Sequence, residues 1–430
     1  MAALLIRGGR VIDPAANLDA IRDILLADGK VVKIGSRIIS RGSRVIEAKG
    51  RLVMPGLIDM HTHLRDPGRP DKETIASGTR AAALGGFTSV CCMANTEPPI
   101  DNAAVVKYVR DKGAAEGVVN VYPVGAITRG LKGEALAEMG SMFEEGAIAF
   151  SDDGYPVEKA DIMRKALEYA RQFGAPVISH CEDRSLSSGG SMNESALSTM
   201  IGLPGIPALS EEIIVARDIL LAKKFGPVHI AHVSSAGSVE LIRQAKKRGA
   251  PVTCETCPHY FSLTEEAVRN YDTNAKVNPP LKSTADVQAV IRGLKDGTID
   301  VIATDHAPHT IDDKNVEFNQ AATGMIGLET ALGLVMTNLV ETKALNLKQA
   351  IAKLTVVPAR ILQLENKGRL KAGADADVII VDPKVEWVVE ASKFASKSRN
   401  TPFNGWKLKG KVICAIVGGK VVVRDGKICN

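Results

Sequence analysis

The chain has 430 residues, more than one average domain and about the size of an α/β barrel with an appendage. Hydrophobic residues make up 45% and charged residues 24%, an ordinary globular balance that excludes a disordered chain, and aromatics at 4% leave the core to aliphatic side chains. The net charge of +5 is scattered, with no basic block to mark a nucleic-acid partner.

The start, MAALLIRGGRVIDP, lacks a signal-peptide layout, and no stretch approaches the roughly 20 apolar residues that span a bilayer. Seven cysteines, an odd number in a long chain, fit a reducing compartment, so a cytoplasmic enzyme without a membrane anchor is expected.

Residues 1–54 carry short β patterns broken by turns, as in ILLADGKVVKIG. The tail, 365–430, repeats the style, so both ends are expected to form one small β domain beside a body spanning 55–364. Within that body, apolar runs at 52–63, 86–95, 118–128, 147–153, 176–182, 228–234, 251–259 and 299–309 alternate with helix-like segments at 101–116, 157–173, 210–225, 238–248 and 284–296. Strands alternating with helices imply parallel βαβ units, and eight of them predict a (β/α)8 barrel. Such a barrel keeps its chemistry at the C-terminal ends of its strands.

Those ends are polar. The first run closes in His61-Thr62-His63, and residues two apart on a strand share a face, so the two imidazoles form half a metal site. Arg65 follows on the same side if the strand continues. The fourth run ends in Asp152-Asp153, of which only one should point inward. The fifth offers His180, the sixth His232, and the eighth Asp305. By parity His229 and His306 should point outward. Four histidines and two carboxylates exceed one tetrahedral zinc and suit a pair of metals sharing a carboxylate. Cys254 and Cys257, three apart on a strand-like run, face opposite sides and read as free thiols.

The strings HTHLRDPG, the strand-end His180 and His232, and ATDHAPH together resemble the amidohydrolase superfamily, in particular its cyclic-amide hydrolases. MANTEPP at 93–99, NPPLK at 278–282, GRLKAGADADVIIVDP and SKSRNTPF are similar to the bacterial dihydroorotases of the larger, multifunctional-enzyme-like type, over essentially the whole chain. The resemblance implies zinc, one or two ions per subunit, held by His61, His63, Asp153, His180, His232 and Asp305. Hydantoinases and allantoinases commonly place a carboxylated lysine at the end of the fourth strand. Here the nearest downstream lysine is Lys159, and the resemblance implies Asp153 as the bridging carboxylate.

The implied reaction is the reversible cyclisation of N-carbamoyl-L-aspartate to L-dihydroorotate with release of water, a step of pyrimidine biosynthesis. In the hydrolytic direction a metal-held hydroxide attacks the cyclic amide carbonyl, with Asp305 as general base and then acid. Arg65 is placed to grip the carboxylate common to both forms. Asn95, Asn278 and His309 match positions that complete the grip, and the backbone around Ala322, Thr323 and Gly324 is expected against the ring amide. The polar segment 310–323 has the look of a lid. The resemblance also implies a homodimer and a complex with aspartate transcarbamoylase as partner states. Two readings compete: a hydantoinase- or allantoinase-like amidase, and a non-catalytic scaffold on the same fold. A scaffold would lack ligands, and Arg65, Asn95 and Asn278 favour an acidic substrate over a neutral hydantoin.

Overall fold

Eight parallel strands run in barrel order in the computed structural model, which describes residues 3–429. They are Leu57–Thr62, Phe87–Cys92, Asn120–Gly125, Ala149–Phe150, Val177–Ser179, Val228–Ile230, Val252–Thr256 and Val301–Ile302. Thr62 bridges His306, and the His63 amide donates to the His306 carbonyl at 2.9 Å, drawing the eighth strand to the first. Ile58, Met60, Cys91, Val124, Ala149, Ile178 and Val301 meet in one apolar cluster that draws on most of the strands and fills the lumen. Ala359 and Leu362 join that cluster from the far end of the chain.

The strands are shorter than the apolar runs that predict them. At three strand ends the residues beyond the ladder leave extended geometry: Arg65 has φ +58, His232 φ +35 and Asp305 φ +49. These are left-handed values that L side chains seldom adopt, and they occur where side chains must be turned into the barrel mouth.

The expected first strand, 52–63, is two strands. Leu52–Pro55 pairs with Leu4–Asp13 and with Val378–Val388, whereas Leu57–Thr62 opens the barrel. Gly56 is the joint. A Cβ there would stand 2.0 Å from the Thr88 hydroxyl, so only glycine lets the chain pass from one sheet to the other.

The second sheet draws on both chain ends. From edge to edge it runs Lys427–Ile428, Lys420–Arg424, Lys407–Val417, Val378–Val388, Leu52–Pro55, Leu4–Asp13, Leu18–Ala27 and Lys30–Gly35, with Arg44–Glu47 paired to Leu4–Asp13. Ile6, Val11, Ile24, Val53, Ile380 and Ile416 form its own core.

The outer helices follow local rules. Ala160–Ala170 buries Ile162, Met163, Ala166, Leu167 and Ala170, one stripe at helical spacing. Thr284–Asp296 starts from a Ser283–Asp286 capping box and stops at Gly297, φ +84. Among the described residues no helix is long and apolar enough to cross a membrane.

Candidate active site

The pairing of the first two barrel strands slips between Asp59 and Thr62. This bulge breaks the alternation that would send His61 to the side opposite Met60, so Met60 packs in the lumen cluster and His61 still turns into the mouth. There His61 Nδ1 donates to Glu255 Oε1 at 2.7 Å, which leaves Nε2 as the lone-pair nitrogen. His63 repeats the device: Nδ1 donates to Asn95 Oδ1 at 2.8 Å, and Nε2 faces Asp305 Oδ1 at 3.1 Å.

Asp153 lies at the centre. Its Oδ2 is 3.1 Å from His61 Nε2 and 3.5 Å from His63 Nε2. Its Oδ1 is 3.2 Å from His180 Nδ1 and 3.1 Å from His232 Nε2. One carboxylate thus presents each oxygen to a different histidine pair. Asp152, the neighbour that parity left open, turns away and accepts from the Ile127 and Thr128 amides. On the far side His180 Nε2 donates to Glu182 Oε2 at 3.1 Å, so its Nδ1 too carries a lone pair toward Asp153 and, 2.8 Å away, His232 Nε2.

These donors fit a divalent cation better than they fit each other. Atoms bound tetrahedrally at zinc distances stand about 3.4 Å apart, and the separations here scatter around that value. His61 Nε2, which faces Asp153, is buried yet makes no hydrogen bond. The electrostatics point the same way. Burial would lower the His180 pKa, but hydrogen bonds to Asp153 and Glu182 override it and lift the ring to about 10. Burial would raise the Glu255 carboxyl, yet His229 and His61 hold it at about 2. Burial likewise opposes the ionised form of Asp305, and the His63 hydrogen bond with the His61 and His63 charges brings it to about 2. The cluster demands positive charge, which protons or a metal can supply.

A cavity of about 320 Å³ opens above this layer. It is lined by His63, Asp153, His180 and Asp305 and by every residue expected to touch substrate: Arg65, Asn95, Asn278, His309, Ala322, Thr323 and Gly324. His61 and His232 lie beneath it. Arg65 donates from Nε to the Pro308 carbonyl at 3.2 Å and has Nη2 3.4 Å from His309, with no carboxylate partner among the described residues. A half-buried guanidinium without an acid, facing a cavity, is suited to an anionic ligand.

Three expected contacts have prior partners. Asn95 is held by His63, and Asn278 Nδ2 donates to Glu182 Oε2 at 3.2 Å. His309 accepts at Nδ1 from Lys72, 3.2 Å away, and donates from Nε2 to the Thr323 carbonyl at 2.9 Å. Burial first, then Arg65 and Lys72, hold its pKa near 2, so the ring is neutral. The segment expected as a lid is not formless. Thr310 caps a short helix, Ile311–Lys314. Lys314 donates to the Ala322 and Thr273 carbonyls, and Lys276 to those of Phe318 and Asn319.

His229 corrects the parity argument. It does not point outward: it is buried, with Nε2 3.2 Å from Glu255 Oε2 and Nδ1 2.8 Å from the Thr253 hydroxyl. Alternation holds along Val228–Ile230, and the turn at His232 lets both histidines of HIAH face inward. His306 does lie outside, bonded to Glu73 at 3.3 Å. Glu255 and Glu182 escaped the sequence argument. The signal for Glu255 was present, because a lone carboxylate inside the apolar run PVTCETC needs a buried partner.

The sequence matches the amidohydrolase family over residues 52–422. It is 59% identical to the dihydroorotase of Pelotomaculum thermopropionicum across 98% of this chain and 99% of that one. With the dihydroorotase of Acetivibrio thermocellus it shares 56% identity over 98% and 99% of the two chains. Among solved structures, an L-hydantoinase (dihydropyrimidinase) from Arthrobacter aurescens superimposes with a TM-score of 0.90 at 26% identity, covering 100% of this chain and 98% of that one. A D-hydantoinase from Thermus sp. gives a TM-score of 0.87 at 22% identity over 99% and 96% of the two chains, which is a likeness of fold alone.

Proposed function

The chain belongs to the amidohydrolase family, and from that premise we infer that it is a dihydroorotase, interconverting N-carbamoyl-L-aspartate and L-dihydroorotate. Hydantoinases share the fold at 22–26% identity, whereas dihydroorotases share 54–59% of the sequence across nearly the whole chain. The observation in the site that carries the reading is the division of Asp153 between two histidine pairs beneath a cavity that holds an unpaired arginine.

We assign His61, His63, Asp153, His180, His232 and Asp305 as ligands of zinc, one or two ions per chain. Imidazole nitrogens with carboxylate oxygens are a zinc-type donor set. Bound there, the metal supplies Lewis acidity toward a carbonyl oxygen and toward water.

The protein's own groups do the rest. Arg65 binds the substrate carboxylate and thereby orients the ring over the layer below. Asp305, kept ionised, accepts a proton from the attacking water. The carbon–nitrogen bond of the cyclic amide then breaks, and Asp305 returns that proton to the leaving nitrogen. In the closing direction Asp305 takes the proton from the ureido nitrogen. Open substrate carries two carboxylates and the ring one, so closure consumes a proton. Glu255 and Asn95 fix the tautomers of His61 and His63, and Glu182 does so for His180.

The segment 310–323 is assigned as the cover of this cavity. Met200, Leu209, Ile213 and Leu220 expose large apolar side chains, which supports a protein partner, and a second copy or an aspartate transcarbamoylase is the proposed one.

Ring opening of dihydroorotate, followed by ultraviolet absorbance beside hydantoin and allantoin, tests the activity. Turnover of dihydroorotate is expected. Turnover of only the other two amides would replace this reading with the hydantoinase one.

A further inference from the structure

Where the seventh barrel strand, Val252–Thr256, ends, Cys257 caps the short helix Pro258–Ser262. The turn brings His259 beside Cys257, and one donor atom from each lies within 4.8 Å of the other and of a carboxylate oxygen of Asp305. All three side chains are buried. His259 is the informative member. Its Nε2 is buried and has no hydrogen-bond partner. The ring is fixed in place: it packs edge-on to Tyr260 at 4.1 Å, and the Tyr260 hydroxyl donates to the Pro279 carbonyl at 2.6 Å.

An apolar wall would leave no lone pair unmet there, since a buried unpaired polar atom costs about 1–3 kcal/mol. Sulfur, imidazole nitrogen and carboxylate oxygen together make a set that a thiophilic divalent cation prefers to calcium or magnesium. The route from solvent exists, because Asp305 lines the cavity.

We propose that Cys257, His259 and Asp305 form a further cation site, which shares Asp305 with the ligand set above but none of its histidines and is selective for thiophilic divalent ions such as cadmium or excess zinc. Binding replaces the thiol proton, which leaves to solvent, and involves no redox change. Occupancy engages the carboxylate that moves the proton in catalysis, so the site is inhibitory.

The test is cadmium(II) titration of the metal-loaded enzyme as purified, read by thiolate-to-cadmium charge-transfer absorbance in the ultraviolet and by dihydroorotate turnover. One extra cadmium per chain should bind with that band, and turnover should fall as the band grows. Cys257→Ser should keep basal turnover, lose the band and lose the added inhibition. His259→Gln should weaken cadmium binding roughly tenfold or more. If Cys257→Ser does not fold, His259→Gln alone decides. No band in the natural protein, an equal band in Cys257→Ser, or unchanged cadmium affinity in His259→Gln each overturns the proposal. The absorbance readout is independent of which amide the enzyme opens, so its failure is separable from failure of the dihydroorotase reading.

Discussion

Glu255 stands between two histidines, with Oε1 2.7 Å from His61 Nδ1 and Oε2 3.2 Å from His229 Nε2. All three groups are fully buried. The carboxylate therefore chooses the His61 tautomer, and the nitrogen left over is the one aimed at Asp153.

Glu255→Gln should weaken the metal centre without emptying the barrel of its fold. The amide can face His61 with its oxygen only by turning its NH2 toward His229, which then must change tautomer. Loss of a partner behind a ligating histidine typically costs 10–100-fold in metal affinity, and about that is expected here. Metal content per chain, measured after equilibration against a chelator of known strength, checks it. Retention equal to that of the natural protein would remove Glu255 from the support of the site.

Asp305→Asn separates proton movement from architecture. Its Oδ1 sits 3.1 Å from His63 and 3.6 Å from His61, geometry an asparagine oxygen can keep. An amide oxygen cannot take and return a proton, so turnover should fall by about 10²–10⁴. Thermal unfolding should move little. Near-natural turnover with a correct metal content would exclude Asp305 as the base.

Much of this is legible in the amino-acid sequence. The eight apolar runs and their polar ends placed His61, His63, His180, His232 and Asp305 at one mouth, because strand burial and strand polarity are both written in local sequence. Three things are not. The alternation rule failed at His229, since the left-handed His232 changes which side a residue faces, and neither it nor the bulge after Asp59 has a sequence mark. The break at Gly56 depends on Thr88, a long-range neighbour. The partners of Asn95 and Asn278 were hidden for the same reason, because His63 and Glu182 reach them from other strands. Parity is a rule for regular ladders, and the site is built where the ladders stop.

Arg65→Lys tests the carboxylate grip. The guanidinium already uses Nε on the Pro308 carbonyl, so its terminal nitrogens are what remain for an anion. A lysine keeps the charge but offers no planar fork. Loss of one charge-assisted hydrogen bond, about 1.5–3 kcal/mol, should raise KM for dihydroorotate roughly 10–100-fold while kcat changes less. An unchanged KM would show that the carboxylate binds elsewhere.

Gly324→Ala probes the wall on the opposite side. Gly324 has φ +134, a conformation costly for any residue with a Cβ. The added carbon would stand 2.7 Å from the Ala307 Cβ and 3.2 Å from His309 Nε2. The neighbours have little room to give. Asn400 Nδ2 donates to both the Ala307 and Gly324 carbonyls, at 3.0 and 3.1 Å, and Thr323 and Lys72 occupy both ring nitrogens of His309. The backbone must therefore shift into the cavity, next to where the ring amide is expected. Stability should drop by about 1–3 kcal/mol, and KM should rise by more than kcat falls, because the histidine ligands and Asp153 lie on other strands. Steady-state kinetics with a thermal melt reads both. A variant that melts normally and binds dihydroorotate normally would show that this wall yields freely and does not shape the substrate site.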